Sequence, residues 1–247
     1  MNEADMQKKT KIGLWIAGGA VVVIGGAALA FGPGIYAGYA NDNAEAAPTI
    51  AASAPGPTPT GNSSEAAATP EVNADDLSGT WTVGADSFSG YRVDEVLSGN
   101  DVTVTGRTDE VTGELTVDSL ALTAATISVD VASIATDESA RDAYFRDTAM
   151  QADEFPTATF TLTEPVTLEA PVAGVAQTLE ASGELTMHGV TQPVTVELQA
   201  ALTESGGQVV GSIPVTFSDY GVDAPDLGFV SVEDTGSVEF SLNLEQN

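Results

Sequence analysis

The sequence predicts an all-β folded part, an antiparallel meander of eight or more strands with one short helical segment. A single membrane-spanning helix and a disordered linker precede it. Three observations carry this reading: a period of two in the apolar residues from Thr80 onward, a run of 29 uncharged residues from Ile12 to Ala40, and a change of charge across that run. The chain has 247 residues with 7 Lys or Arg, 36 Asp or Glu, one His and no Cys, a net charge of −29. Phosphate neutralisation needs clustered Lys and Arg, so nucleic acid is excluded as a partner. Without Cys there is no disulfide framework, thiolate zinc site, iron–sulfur cluster or cysteine nucleophile.

Residues 1–11 form a basic leader with Lys8, Lys9 and Lys11. Residues 12–40 read as a transmembrane anchor. Ile12 to Phe31 alone would span roughly 30 Å as a helix, the thickness of a hydrocarbon core. Trp15, Tyr36 and Tyr39 fit an aromatic belt, and Pro33-Gly34 marks a break near the outer interface. The lysines precede the span, which places the N-terminus in the cytoplasm and the remainder outside the cell membrane as a single-pass protein. The alternative is a cleaved signal peptide, processed at Ala28-Leu29-Ala30 or within Ala37-Gly38-Tyr39-Ala40. Gly26, Ala30, Gly34 and Gly38 recur at spacing four, a pattern through which membrane helices form a homodimer; chance spacing in a Gly- and Ala-rich segment is the alternative.

Residues 41–79 are rich in Ala, Pro, Ser, Thr and Gly and have almost no large apolar side chain, so they read as a disordered tether. Residues 80–247 hold the fold, with four Arg, no Lys and strongly alternating segments. Ile127, Val129 and Val131 alternate with Ser128 and Asp130. Val194, Val196 and Leu198 form a second such set, Val209, Ile213, Val215 and Phe217 a third, and Val238, Phe240, Leu242 and Leu244 a fourth. Further strands are expected over Thr80–Val83, Phe88–Leu97, Val102–Thr108, Glu114–Val117, Thr159–Thr163 and Leu179–Met187. Asp137–Asp147 reads as a short helix, with acids in its first turn and an Asp142–Arg146 pair. One consistently apolar face per strand points to a closed barrel or a two-layer sandwich.

Catalytic signals are weak. His188 sits in Leu185-Thr186-Met187-His188-Gly189-Val190, a strand end running into a turn, with no nucleophile elbow or phosphate-cradling glycine motif around it. It reads as a turn histidine bonded to backbone. Asp219, Asp223, Asp226, Glu233 and Asp234 lack the spacing of a calcium loop and read as solvated acids. No metal, cofactor or enzymatic activity is expected. On the helical segment, Arg141, Tyr144, Phe145 and Arg146 are candidates for a lid at a barrel mouth, with pairing to local acids as the alternative.

An ordered set of segments carries a family resemblance over Gly79–Leu244. It comprises Gly79-Thr80-Trp81-Thr82-Val83, Ser89-Gly90-Tyr91-Arg92-Val93-Asp94-Glu95, Val111-Thr112-Gly113-Glu114-Leu115, Thr136-Asp137-Glu138-Ser139-Ala140-Arg141-Asp142, Phe155-Pro156, and Phe217-Ser218-Asp219-Tyr220-Gly221-Val222. Gly183-Glu184-Leu185-Thr186-Met187-His188-Gly189-Val190-Thr191 is the strongest. The sequence resembles the YceI-like, polyisoprenoid-binding, lipocalin-like family in its membrane-tethered actinobacterial form. The resemblance implies an extended antiparallel β-barrel of about eight strands, with an apolar pore that holds an isoprenoid-type lipid. The absence of Lys from this domain favours an uncharged chain, such as a quinone-type lipid, over a polyprenyl diphosphate.

Strand parity nominates the pore lining: Tyr91, Val93, Ile127, Val129, Val131, Phe160, Leu162, Leu185, Met187, Val215, Phe217, Phe240 and Leu242. A chain of around 40 carbons there, at about 0.3 kcal/mol per atom, would bind with about 12 kcal/mol. The expected function is a membrane-tethered extracytoplasmic carrier or store for such a lipid. The alternative is an acidic cell-surface β-sandwich with a solid core and no lipid, which binds another protein.

Overall fold

In the computed structural model of this chain, the described residues are 32–50, 74–203 and 206–247. A helix α1 (Pro33–Asn43) comes first. It is followed by β1 (Gly79–Val83), β2 (Phe88–Leu97), β3 (Asn100–Thr108), β4 (Val111–Asp118) and β5 (Ala121–Asp130). Next come a short helix α2 (Ser139–Tyr144) and a wider π-helical turn (Phe145–Ala149). The strands resume with β6 (Thr157–Leu162), β7 (Val166–Thr167), β8 (Gln177–Met187), β9 (Val190–Thr203), β10 (Gly206–Thr216) and β11 (Val230–Gln246).

The strand alternation works as the sequence suggests. On β8, Ala181, Gly183, Leu185 and Met187 are buried while Glu180 and Glu184 face solvent. The strands join in the order β1-β4-β5-β6-β8-β9-β10-β11, and β11 pairs back onto β1. The result is a closed antiparallel barrel of eight strands rather than a sandwich. Closure depends on β11, which is 17 residues long. Its C-terminal end pairs with β1, and its N-terminal two-thirds pairs with β2, which carries β3 as a hairpin. Glu233, Asp234 and Thr235 bulge out of β11 where the register slips between Val232 and Gly236.

The barrel has two unlike ends. At the lower end lie the β4–β5 turn, the 163–176 loop and Trp81, whose indole Nε1–H donates to the Leu77 carbonyl at 3.0 Å. At the upper end lie the β2–β3 and β8–β9 turns, the 217–229 loop and α2. There β3 reaches past the end of β4 and would leave an open edge, which α1 covers. Asn41 accepts a hydrogen bond from the Thr103 N–H at 2.8 Å and donates to the Asp101 carbonyl at 2.9 Å, as a neighbouring strand would. Tyr36, Ala37 and Ala40 of α1 pack on Leu97, Val102 and Val104. Residues 45–50 then run across the outside of the barrel. Arg107 pairs with the Glu45 carboxylate and donates to the Ala46 carbonyl at 2.8 Å. Arg92 donates to the Glu45 carbonyl, and the Ile50 N–H reaches Gln199 on β9 at 3.1 Å.

Several boundaries differ from the sequence reading. Val131 and Phe217 open short 3-10 turns at strand ends instead of continuing the strands. Asp142 does not pair with Arg146: it reaches back to the Thr136 N–H and hydroxyl at 2.8 and 2.7 Å, and Arg146 pairs with Asp147 at 3.0 Å. The residues expected at the end of the anchor and the start of the tether, 33–50, form the docked helix and strap, because β3 offers them an unpaired edge and an apolar surface. The leader and residues 12–31 of the expected span lie outside the described residues, as does the tether from 51 to 73. Among the described residues, no helix is long and apolar enough to cross a membrane.

Close strand contact at the β2–β3 crossing supplies a test. A Cβ on Gly90 would lie 1.9 Å from the Gly106 carbonyl oxygen, whereas one on Gly38 of α1 meets nothing within 4 Å. Gly90→Ala should cost about 2–3 kcal/mol in urea unfolding. Gly38→Ala should be neutral or stabilise by up to about 1 kcal/mol through helix propensity. Equal effects would mean that the β2–β3 crossing is looser than described.

Candidate functional site: an apolar tunnel with a buried ion pair

The inward-facing residues of the ring do not fill it. A lower cavity of about 200 Å³ and an upper one of about 160 Å³ lie end to end. They share a waist where Ser89, Val129, Ala158 and Val238 border both, so the two lie in series along the barrel bore. Small side chains make this room. Ala125, Ala158 and Ala181 point inward where a larger residue would block the bore, and Gly183 leaves its place to the Phe160 ring. At about 30 Å³ per water-sized group, the two cavities accommodate roughly 12 such groups.

The structure distributes the nominated lining along this tunnel. Ile127, Phe160, Leu162, Leu185, Phe240 and Leu242 border the lower cavity. Tyr91, Val93, Val131, Met187, Val215 and Phe217 border the upper one, and Val129 borders both. Of the lid candidates, Arg141, Tyr144 and Phe145 reach the upper cavity. Phe145 stacks on Tyr91 with ring centroids 4.8 Å apart, and the π-helical turn carries it there. Arg146 is not on the cavity wall; its partner is Asp147. The lining also includes residues not nominated from parity, such as Trp81, Leu122, Leu179, Val196, Leu198 and Ile213. The same alternation marks Val196, Leu198 and Ile213, so the signal for those was present in their strands.

A carboxylate also sits in the upper lining. Glu95 lies on β2 at the inward parity of Tyr91, Val93 and Leu97 and is only 5% exposed. It faces Arg141, itself 8% exposed, with Glu95 Oε1 3.9 Å from Arg141 Nη2. Arg141 Nη1 donates to Asp137 Oδ1 at 3.0 Å and lies 3.4 Å from the Thr136 hydroxyl. Burial pushes the Glu95 carboxyl above its ordinary range, although Arg141 pulls it down. Burial works against the Arg141 charge, but Glu95 and its neighbours outweigh it and hold its pKa above the ordinary value. Burial also pushes up the Tyr91 phenol beside them.

The other polar candidates stand apart from the tunnel. His188 occupies the β8–β9 turn with φ of 52°, its Nδ1 3.0 Å from the Tyr220 carbonyl oxygen and its ring edge-on to Phe155. Its Nε2 is buried and has no hydrogen-bond partner among the described residues. Among the described residues, no group of His, Asp or Glu side chains gathers as a metal site. Arg92 and Arg107 lie outside the barrel and share the buried Glu239, Arg92 at 2.6 Å and Arg107 at 3.8 Å. Neither serves the tunnel.

Comparison with known proteins places the chain. Residues 71–244 match the YceI-like domain, and the chain belongs to that family. Two solved structures share its fold. One is a polyisoprenoid-binding domain from Saccharophagus degradans implicated in plant cell wall breakdown. It is 19% identical over 69% of this chain and 99% of that one, with a TM-score of 0.54. The other is BcnA from Burkholderia cenocepacia, 22% identical over 65% of this chain and 98% of that one, with a TM-score of 0.50. No match was found among curated proteins.

The buried Glu95 gives a pH signature of definite sign. A carboxyl whose pKa is raised by folding holds its proton more tightly in the folded chain. The stability it contributes is fullest below its unfolded pKa, near 4.5, and falls as the pH climbs toward the folded value. Relative to Glu95→Gln, the native chain should therefore lose stability as the pH rises from about 4 to 7. Urea unfolding at several pH values reads the difference, and a slope of opposite sign would show that Arg141 dominates over burial.

Proposed function

We propose that this member of the YceI-like family is a binding protein that holds one long apolar lipid chain, isoprenoid or quinone-like, in its tunnel for transport or storage. The single observation that carries the reading is the pair of apolar cavities in series, sharing one waist, inside a closed barrel. An apolar chain is bound there by removal from water, at roughly 0.8 kcal/mol per CH₂ before ordering costs. Chemistry on the chain is not required for this role.

The tunnel volume sets the scale. The enclosed part of a chain, about 12 carbons at about 0.3 kcal/mol per atom, gives about 4 kcal/mol, millimolar binding. That is a shorter and weaker fit than a 40-carbon chain fully enclosed would give, and it suits exchange with a bilayer. The polyisoprenoid-binding domain of the same fold supports the ligand class. The lysines before the apolar stretch 12–31 support a tethered domain outside the cytoplasm. In this reading the tether keeps the barrel beside its lipid source.

The waist provides the test. Organic extraction and mass spectrometry of the purified full-length protein should recover an apolar lipid. Ala158→Phe places a ring where the two cavities meet, so the recovered chain should shorten by about half while urea unfolding still reports a folded domain. Recovery of no apolar molecule, together with no thermal shift on adding isoprenoids or quinones, would sink the reading.

A further inference from the structure

We propose that Glu95 and Arg141 form a head-group site for an uncharged amphiphile whose terminal group both donates and accepts a hydrogen bond, as a long-chain primary alcohol does. This rests on the lipid-chain reading and gives the chain a direction: head at the upper end, tail through the waist toward the lower end.

The argument starts from two atoms. Glu95 Oε1 and Arg141 Nε are buried, and neither has a hydrogen-bond partner. Buried polar groups in folded proteins are almost always paired, so two such orphans on facing side chains call for an explanation. The two groups stand 3.9 Å apart at their closest, beyond hydrogen-bonding distance. Both border the upper cavity, whose other walls are mostly apolar. Once the two side chains part to admit it, a hydroxyl donates its proton to Glu95 Oε1 and accepts from Arg141 Nε–H, which satisfies both atoms at once.

The charges around the site select against an anion. Arg141 is already engaged by Asp137 at 3.0 Å and faces Glu95, and Asp223 borders the same cavity. Arg92 and Arg107 are committed outside the barrel and Arg146 to Asp147. A phosphate or diphosphate would therefore enter a cavity with more acid than base, whereas a neutral head leaves the balance undisturbed. A purely hydrocarbon end would leave both orphans unpaired. The site thus distinguishes three heads on one tail.

The experiment uses the full-length chain and three probes that share a twenty-carbon saturated isoprenoid tail: phytanol, phytanyl phosphate and phytane. Each competes with an environment-sensitive fluorescent fatty chain. Phytanol should bind about tenfold or more tighter than phytane, and also tighter than phytanyl phosphate. In Glu95→Leu, the preference for phytanol over phytane should fall to about threefold or less, and phytanyl phosphate should gain as the repelling carboxylate is removed. Equal affinity of the native chain for phytanol and phytane would leave Glu95 and Arg141 as an internally solvated pair and overturn the head-group site, with the lipid-chain reading intact. Failure of all three probes to compete would overturn both. The native-chain comparison decides the matter even if Glu95→Leu does not fold.

Discussion

Everything in this molecule depends on the double pairing of β11. On one side it bonds to β10 from Thr235 to Leu244; on the other it bonds first to β2 and then to β1. A sheet closed in this way spends its backbone N–H and C=O groups within the ring and has no free edge there. The inner surface can then be made of side chains alone, and those side chains can be apolar without leaving backbone groups unsatisfied. Where the ring is interrupted, at the projecting edge of β3, the protein supplies a substitute. Asn41 occupies the hydrogen-bonding positions of a missing strand, and α1 covers the apolar surface beside it. Hollow interior and covered edge are two consequences of one closure.

The four arginines of the acidic domain show how scarce positive charge is used. Arg92 and Arg107 converge on Glu239 and on the strap at Glu45 and Ala46, and Arg107 also lies over the Phe88 ring at 4.2 Å. They fasten the N-terminal segment across the outside of the barrel. Arg146 is spent on its sequence neighbour. Only Arg141 enters the interior, and it does so opposite one of the few acids found there. In a domain with so much repulsive charge, a buried cation facing an acid is not explained by surface electrostatics. Two orphaned atoms on that pair argue that it does not serve stability alone.

Much of the tunnel was legible because a strand announces which side faces in. Alternation along β5, β8, β10 and β11 identified Ile127, Leu185, Val215 and Phe240 as inward without knowledge of strand order. Parity could not supply closure, since the return of β11 onto β1 is a long-range pairing that no local pattern records. It also could not separate a bore from a packed core; that distinction rests on Ala125, Ala158 and Ala181, whose small size reads as unremarkable in a sequence. Asp94 and Glu95 lie within the expected strand Phe88–Leu97, where a search for an apolar lining passes over both acids. Only the inward positions of Tyr91, Val93 and Leu97 show that one of the two must point inside. The segment 33–43 was read for hydropathy, which describes a membrane helix and a helix docked on an exposed strand in the same way.

The hollow has an energetic consequence. Protein interiors are normally packed to crystal density, and cavity formation costs on the order of 24 cal/mol per Å³. For a tunnel of this size, the cost comes to about 8–9 kcal/mol, comparable to the whole stability of an ordinary domain. A chain that enters the bore restores the missing contacts to walls already in place.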